Sequence, residues 1–390
     1  MRQIHEFLTP AVISIPPSGI RKFFDLVMQT KGVVSLGVGE PDFVTPRHVR
    51  EACYQSLERG YTNYTSNLGM IELRTEIAAY MQRGFNLSYD PETEIVVTTG
   101  VSEAFDLAIR ALVGPGDEVL VPDPSYVAYA PCATLAGGVP VFLATHARDD
   151  FRLQPEELER KITPRSKVLI LPYPNNPTGG IMGEADLKAL AEVIVKHDLI
   201  VISDELYGEL TYGQKHFSIA SLPGMIERTV VLNGFSKAFA MTGWRVGYAC
   251  GHHDLINAMN KIHQYTMLCA PIMAQMAAIE ALKNGEEPMR EMVADYNRRR
   301  QIITSGLKQI GMPCFEPRGA FYCFPSIEAT GMSSEQFCEA LLQEEKVAVV
   351  PGTAFGPSGE GFVRMCYAAS VDNIGTALER MGDFINRNHK

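Results

Sequence analysis

The sequence predicts an α/β protein built on a mostly parallel, doubly wound sheet, and three features carry that expectation. Between about residues 94 and 250, short β-rich runs alternate with helical periodicity, as βαβ units do. Some of these runs are continuously apolar, such as Val168-Leu169-Ile170-Leu171, which suits strands buried on both faces. The chain has 390 residues, 46% hydrophobic and 21% charged, enough for a large core in two domains or one elaborated one.

The first strand is expected at 94–98, turning through Thr99-Gly100 into a helix that begins near Ser102. Strands at 118–121, 139–144, 167–171, 199–203 and 229–232 follow, with amphipathic segments such as 184–197 between them. After residue 250 the pattern changes to long helical segments at 255–283 and 286–311. A compact α+β portion closes the chain: a strand at 320–324, a helix at 334–345, strands at 347–350 and 362–367, and a last helix from Val371. Ser333 and Gln336 have the spacing of a capping pair at the start of the 334–345 helix.

The net charge of −10 argues against nucleic acid as a partner. Arg298-Arg299-Arg300 follows Tyr296 on a predicted helix and reads as a solvated face. Eight cysteines without a CxxC pair read as reduced thiols. No apolar run approaches membrane-spanning length and no signal peptide is evident, so a cytoplasmic location is expected. Neither HExxH nor GxSxG occurs, which disfavours a metallopeptidase or serine hydrolase; His252-His253 reads as a surface turn.

In an open parallel sheet, ligands bind beyond the C-terminal ends of the strands. The run from Val230 to Tyr248 is the most informative of these ends. An apolar strand enters a small-residue turn carrying Lys237, and eight residues later Arg245 opens a second apolar run beside Trp244, the one tryptophan of the chain. A lysine removed from water and near another cation has a lowered pKa and attacks carbonyls as a neutral amine. An arginine close by holds a phosphate through paired donors. Pyridoxal 5′-phosphate, both aldehyde and phosphate, needs both.

Here, at Phe235-Ser236-Lys237-Ala238-Phe239 and Gly243-Trp244-Arg245-Val246-Gly247-Tyr248, the chain resembles the class I, fold-type I aminotransferases. The resemblance implies that Lys237 forms the Schiff base with the cofactor and that Arg245 contacts its phosphate. Thr99-Gly100-Val101-Ser102 leads into a helix whose N-terminal amides make an anion site; in the family this turn binds phosphate, which assigns Val101 and Ser102. Asn176-Pro177-Thr178-Gly179 is by itself ordinary turn chemistry, but matches a motif whose asparagine faces cofactor and substrate. Asp204-Glu205-Leu206-Tyr207 reads either as a helix cap with a packing tyrosine or, by the family's D-x-x-Y motif, as the ring-nitrogen carboxylate Asp204 and the phenol Tyr207.

Tyr126 matches the aromatic residue stacked on the cofactor ring, and Tyr64 a tyrosine that reaches the phosphate of the neighbouring subunit, so a homodimer with shared active sites is implied. Arg364 lies mid-strand among apolar residues and must be paired or face a ligand; the family places its α-carboxylate arginine there. Gly39 matches a glycine whose amide assists that carboxylate. Gly234 departs from the family, which often has a serine three residues before the lysine. Phosphate binding would then lean on Ser102, Arg245 and Tyr64.

The resemblance implies residues 46–285 as the large cofactor domain, and 1–45 plus 286–390 as a smaller α+β domain. It also implies ping-pong transfer of an amino group from an L-amino acid to a 2-oxo acid such as 2-oxoglutarate, with Lys237 moving the Cα proton. No arginine stands out near 265–273, where dicarboxylate-specific members carry one, so an aromatic or broad preference is expected over strict aspartate. Similar sequences also act on acetylated diaminopimelate or aspartate, and a cysteine-conjugate β-lyase shares the fold and the lysine. No metal is expected.

Overall fold

The computed structural model of the chain describes residues 3–17, 19–20, 27–28 and 30–388. Its strands, in chain order, are β1 (Val34–Ser35), β2 (Ile95–Thr98), β3 (Glu118–Asp123), β4 (Val139–Ala144), β5 (Ser166–Leu171), β6 (Ile200–Asp204), β7 (Thr229–Gly234), β8 (Gly247–Cys250), β9 (Tyr322–Cys323), β10 (Val347–Ala348), β11 (Val350–Pro351) and β12 (Val363–Cys366). Seven of them form the central sheet in the order β2-β8-β7-β6-β5-β3-β4. Its pairs are parallel except at β8, which runs antiparallel to both β2 and β7. The α/β architecture with a mostly parallel sheet is therefore as expected. The reversal of β8 matters for chemistry, because it brings the start of β8 to the edge where β7 ends.

β2, β3, β7 and β8 are buried at every position, as strands covered on both faces must be. One cover is the helix Val101–Leu112, whose Val101, Ala104, Phe105 and Ala108 recur at helical spacing and pack toward β7 and β8. It also packs on the helix His253–Thr266.

A second body of structure joins distant parts of the chain. β1 pairs in parallel with β10, which sets residues 34–35 beside 347–348. β11, β12 and β9 form a small antiparallel sheet. The helix Val371–Asn388 buries Ile374, Ala377, Leu378, Met381, Phe384 and Ile385, and packs on the helices Glu286–Gln309 and Ser334–Glu345. Ser333 and Gln336 form the reciprocal capping box that their spacing predicts.

Three expectations are corrected. The helical run 255–283 is two helices, His253–Thr266 and Ile272–Asn284; between them Leu268 takes φ 70° and Pro271 caps the second. Proline drives the residue before it out of the helical region, so the apolar periodicity continues across a break. The strand 347–350 is likewise two, because the chain changes partner from β1 to β12 at Val349. The arginine run is a solvated face only at Arg298: Arg299 and Arg300 are buried on the side of Tyr296 and Ile303. Arg299 pairs with Asp42 and Asp295, and Arg300 with Glu316, which is what makes burial of two guanidinium groups tolerable. All eight cysteines are free, and no helix among the described residues is long and apolar enough to cross a membrane.

Candidate active site

The C-terminal ends of β2, β3, β5, β6 and β7 meet the N-terminal end of β8 along one edge of the sheet, opposite β9, β12 and the segment 36–40. Between them lies a cavity of about 520 Å³. Apart from Tyr64, every residue singled out from the sequence borders it: Gly39, Val101, Ser102, Tyr126 and Asn176, and then Asp204, Tyr207, Lys237, Arg245 and Arg364.

Lys237 sits in the turn after β7, and its Nζ donates to the Gly39 carbonyl oxygen at 2.8 Å. The rings of Phe321 and Tyr207 lie 5.7 and 5.9 Å from Nζ. Burial lowers its pKa to about 8; Cys366 and Glu40 oppose this, and Arg364 and Arg245 reinforce it. The neutral, nucleophilic form of the amine is thus far more populated than in an ordinary lysine.

Asp204 ends β6. Its Oδ2 accepts from the Tyr129 hydroxyl at 2.8 Å and its Oδ1 from the Leu206 N–H at 3.2 Å. Burial raises its pKa, the Tyr129 and Leu206 donors pull it back, and Glu205 adds to the rise. A carboxylate so placed favours a cationic partner within the cavity. Tyr207 shares a 2.8 Å hydrogen bond with the Tyr322 hydroxyl.

Arg364, within β12, is buried with no carboxylate partner among the described residues. Its Nη1 donates to Asn176 Oδ1 at 3.0 Å and its Nη2 to the Gly37 carbonyl at 2.6 Å, while Nε has no partner. The guanidinium carbon lies 4.6 Å from the Tyr322 ring and 4.8 Å from the Phe355 ring. Its uncompensated charge is available to an anion entering the cavity.

A second anion corner forms where β2 turns into its helix. As the first two helical residues, Val101 and Ser102 have no intrahelical acceptor for their N–H groups. Gly100 holds φ 80°, and a Cβ on it would lie 2.5 Å from Nη2 of Arg245. Arg245 itself donates to the Thr242 carbonyl at 3.1 Å, leaving most of its donors free for a ligand. Gly234 has no room for a side chain, since a Cβ there would lie 3.0 Å from both Gly247 Cα and Val101 Cγ2. Ser236 borders the cavity instead, a residue the sequence reading passed over despite its place beside Lys237.

Tyr129 and Tyr322 were also missed. Tyr129 follows Tyr126 by three residues, which is a faint signal; Tyr322 enters only because β9 pairs with β12, setting Cys366 opposite Tyr322. Tyr64 lies outside the cavity with 82% of its surface exposed. Nearby, Asn67 donates to the Leu268 carbonyl at 2.7 Å, and Tyr265 is 87% exposed.

A group with an aldehyde, an aromatic ring nitrogen and a phosphate finds a partner for each: the Lys237 amine, the Asp204 carboxylate, and the corner of Val101, Ser102 and Arg245. The residues present fit pyridoxal 5′-phosphate, and Arg364 remains for a substrate carboxylate.

Comparison with known proteins agrees with this geometry. Residues 31–381 match the family model described as aminotransferase class I and II. YugH of Bacillus subtilis (strain 168), an aminotransferase by name, is 54% identical over 381 residues, covering 98% of this chain and 99% of its own. An aspartate aminotransferase of Pyrococcus abyssi is 45% identical over 94% of this chain and 95% of its own. The crystal structure of an aromatic aminotransferase from Pyrococcus horikoshii OT3 superimposes with a TM-score of 0.90 at 43% identity, over 94% of this chain and 99% of that one.

Proposed function

The chain belongs to the class I and II aminotransferases, a pyridoxal 5′-phosphate-dependent family, and from that premise we propose an amino acid:2-oxo acid aminotransferase with aromatic or broad preference. The observation that carries this reading is the pairing, in one cavity, of a depressed-pKa lysine with a buried arginine that has no carboxylate partner.

Val101, Ser102 and Arg245, with the Ser236 hydroxyl, would hold the phosphate of the cofactor. Asp204, steadied by Tyr129, would face its ring nitrogen; Tyr207 and Asn176 its phenolic oxygen; and Tyr126 the face of the ring. The bound cofactor supplies a conjugated cationic ring that stabilises negative charge left at the Cα of an amino acid. Arg364, with the Gly39 amide, takes the α-carboxylate and so fixes where Cα lies. The Lys237 amine would remove the Cα proton and, once protonated, would deliver a proton on the cofactor's side rather than back to Cα, in the dual role of base and acid. A single carboxylate-binding arginine serves both half-reactions, so the product oxo acid leaves before the acceptor, such as 2-oxoglutarate, enters. That order is ping-pong.

Among the described residues bordering the cavity, the lysines and arginines are Lys237, Arg245 and Arg364, each already occupied by a role above. A distal carboxylate therefore lacks a fixed counter-charge within one subunit, while Tyr126, Tyr129, Val127 and Ile20 offer apolar surface. The resemblance to an aspartate aminotransferase favours a dicarboxylate as a second reading. A half-reaction screen over amino acids, following loss of the cofactor's aldehyde-state absorbance, separates them. Phenylalanine or tyrosine reacting faster than aspartate supports the proposal, and the reverse order refutes it.

The active form proposed is a cytoplasmic homodimer. The exposure of Tyr64, Tyr265 and Met267 supports apolar surface that a second copy would cover, lending Tyr64 to the phosphate.

A further inference from the structure

We propose that Glu103 and His263, neither of which borders the cavity, form a buried positioning pair that sets the turn Thr99–Ser102 for phosphate binding. The role follows only if that turn holds the phosphate, as proposed above. Glu103 is the third residue of the helix Val101–Leu112. One of its carboxylate oxygens accepts from the Thr99 N–H, and the other lies 2.6 Å from Nδ1 of His263. His263 is fully buried on the facing helix His253–Thr266, and its Nε2 has no partner among the described residues.

The two helices pack on each other, and both feed one hydrophobic cluster: Val101, Ala104 and Ala108 from the first, Ile256 and Met259 from the second. A carboxylate and an imidazole in such a contact carry a desolvation cost that plain packing would avoid. What they do locally is visible in the turn. The Gly100 N–H donates to the Thr98 carbonyl at 2.8 Å, and the Thr98 hydroxyl to the Gly100 carbonyl at 3.0 Å. With the Thr99 N–H held by Glu103, the amides of Val101 and Ser102 are the ones left to face a ligand. Burial pushes the Glu103 carboxyl up, but the His263 and Thr99 donors outweigh it and keep it ionised. His263 in turn fixes the rotamer of Glu103 from a separate helix.

The test titrates the full-length chain, freed of cofactor, with pyridoxal 5′-phosphate and separately with pyridoxal, which lacks the phosphate. Glu103→Ala should weaken pyridoxal 5′-phosphate about tenfold, ~1.4 kcal/mol, and leave pyridoxal within about twofold. A purely structural role would weaken both together and would overturn the proposal. Glu103→Gln keeps an acceptor for Thr99 and should restore binding to within about threefold. His263→Leu removes the donor to Glu103 and should show the same phosphate-specific loss, which keeps the test intact if the alanine variant does not fold. Ser102→Ala and Arg245→Ala probe the underlying phosphate site. If these two discriminate between the ligands while the folded Glu103 and His263 variants do not, the positioning pair is refuted and the phosphate site stands. If Ser102→Ala and Arg245→Ala affect both ligands alike, the phosphate site itself falls.

Discussion

Lys237 and Asp204 illustrate how one enclosure pushes two groups toward opposite tasks. Removal from water favours the neutral amine of Lys237 and disfavours the anion of Asp204 until a cation arrives. The neutral amine is the nucleophile, and its fraction grows as pH rises through the folded-state value. Labelling of the cofactor-free protein at Lys237 by pyridoxal and borohydride should therefore rise through pH of about 8; a midpoint at the ordinary lysine value, about 10.4, would contradict it. Lys237→Ala should bind the cofactor without borohydride fixing any. Asp204→Ala should lose nearly all turnover while Lys237 still captures the cofactor. Tyr129→Phe removes one donor to Asp204, so kcat should fall about tenfold with KM little changed. An unaltered kcat would show that Tyr129 only packs.

At the scale of elements, the segment after β11 fixes the wall against which Arg364 lies. Phe355 touches the guanidinium, and the next residue, Gly356, holds φ 130° with its Cα against Asp123 at the end of β3. A Cβ at Gly356 would lie 1.9 Å from Asp123 Oδ1, while Asp123 Oδ2 accepts from the Ser358 N–H at 3.0 Å. Gly356→Ala should cost about 2–4 kcal/mol, read as a lowered melting temperature and a raised KM for the amino donor. In an Asp123→Ala background the added cost should shrink, because the clash is gone and backbone strain alone remains. Simple additivity would place the strain elsewhere. The same scale shows where periodicity misleads: apolar spacing runs unbroken through 267–271, yet Pro271 and the left-handed Leu268 split the helix.

For the whole molecule, the proposed dimer makes a direct prediction. Neither Tyr64→Phe nor Lys237→Ala homodimers should be fully active, but mixing the two should recover activity, since each hybrid contains one site with both native residues. No recovery, with hybrid formation verified, would confine Tyr64 to its own subunit. The order strand, turn, helix is written locally, so the residue types at each strand end announced themselves: Lys237 after β7, Asp204 closing β6, Ser102 opening a helix. Their partners did not. Tyr322 meets Tyr207 across 115 residues of chain, Arg364 meets Asn176 across 188, and Lys237 meets Gly39 across 198. Nor did local pattern show that β8 turns back to carry Arg245 to the same edge, or that Arg299 and Arg300 face inward. A motif depends on its neighbours in sequence, whereas a pKa, a hydrogen bond or a buried charge depends on whichever distant segment packing brings within a few ångströms.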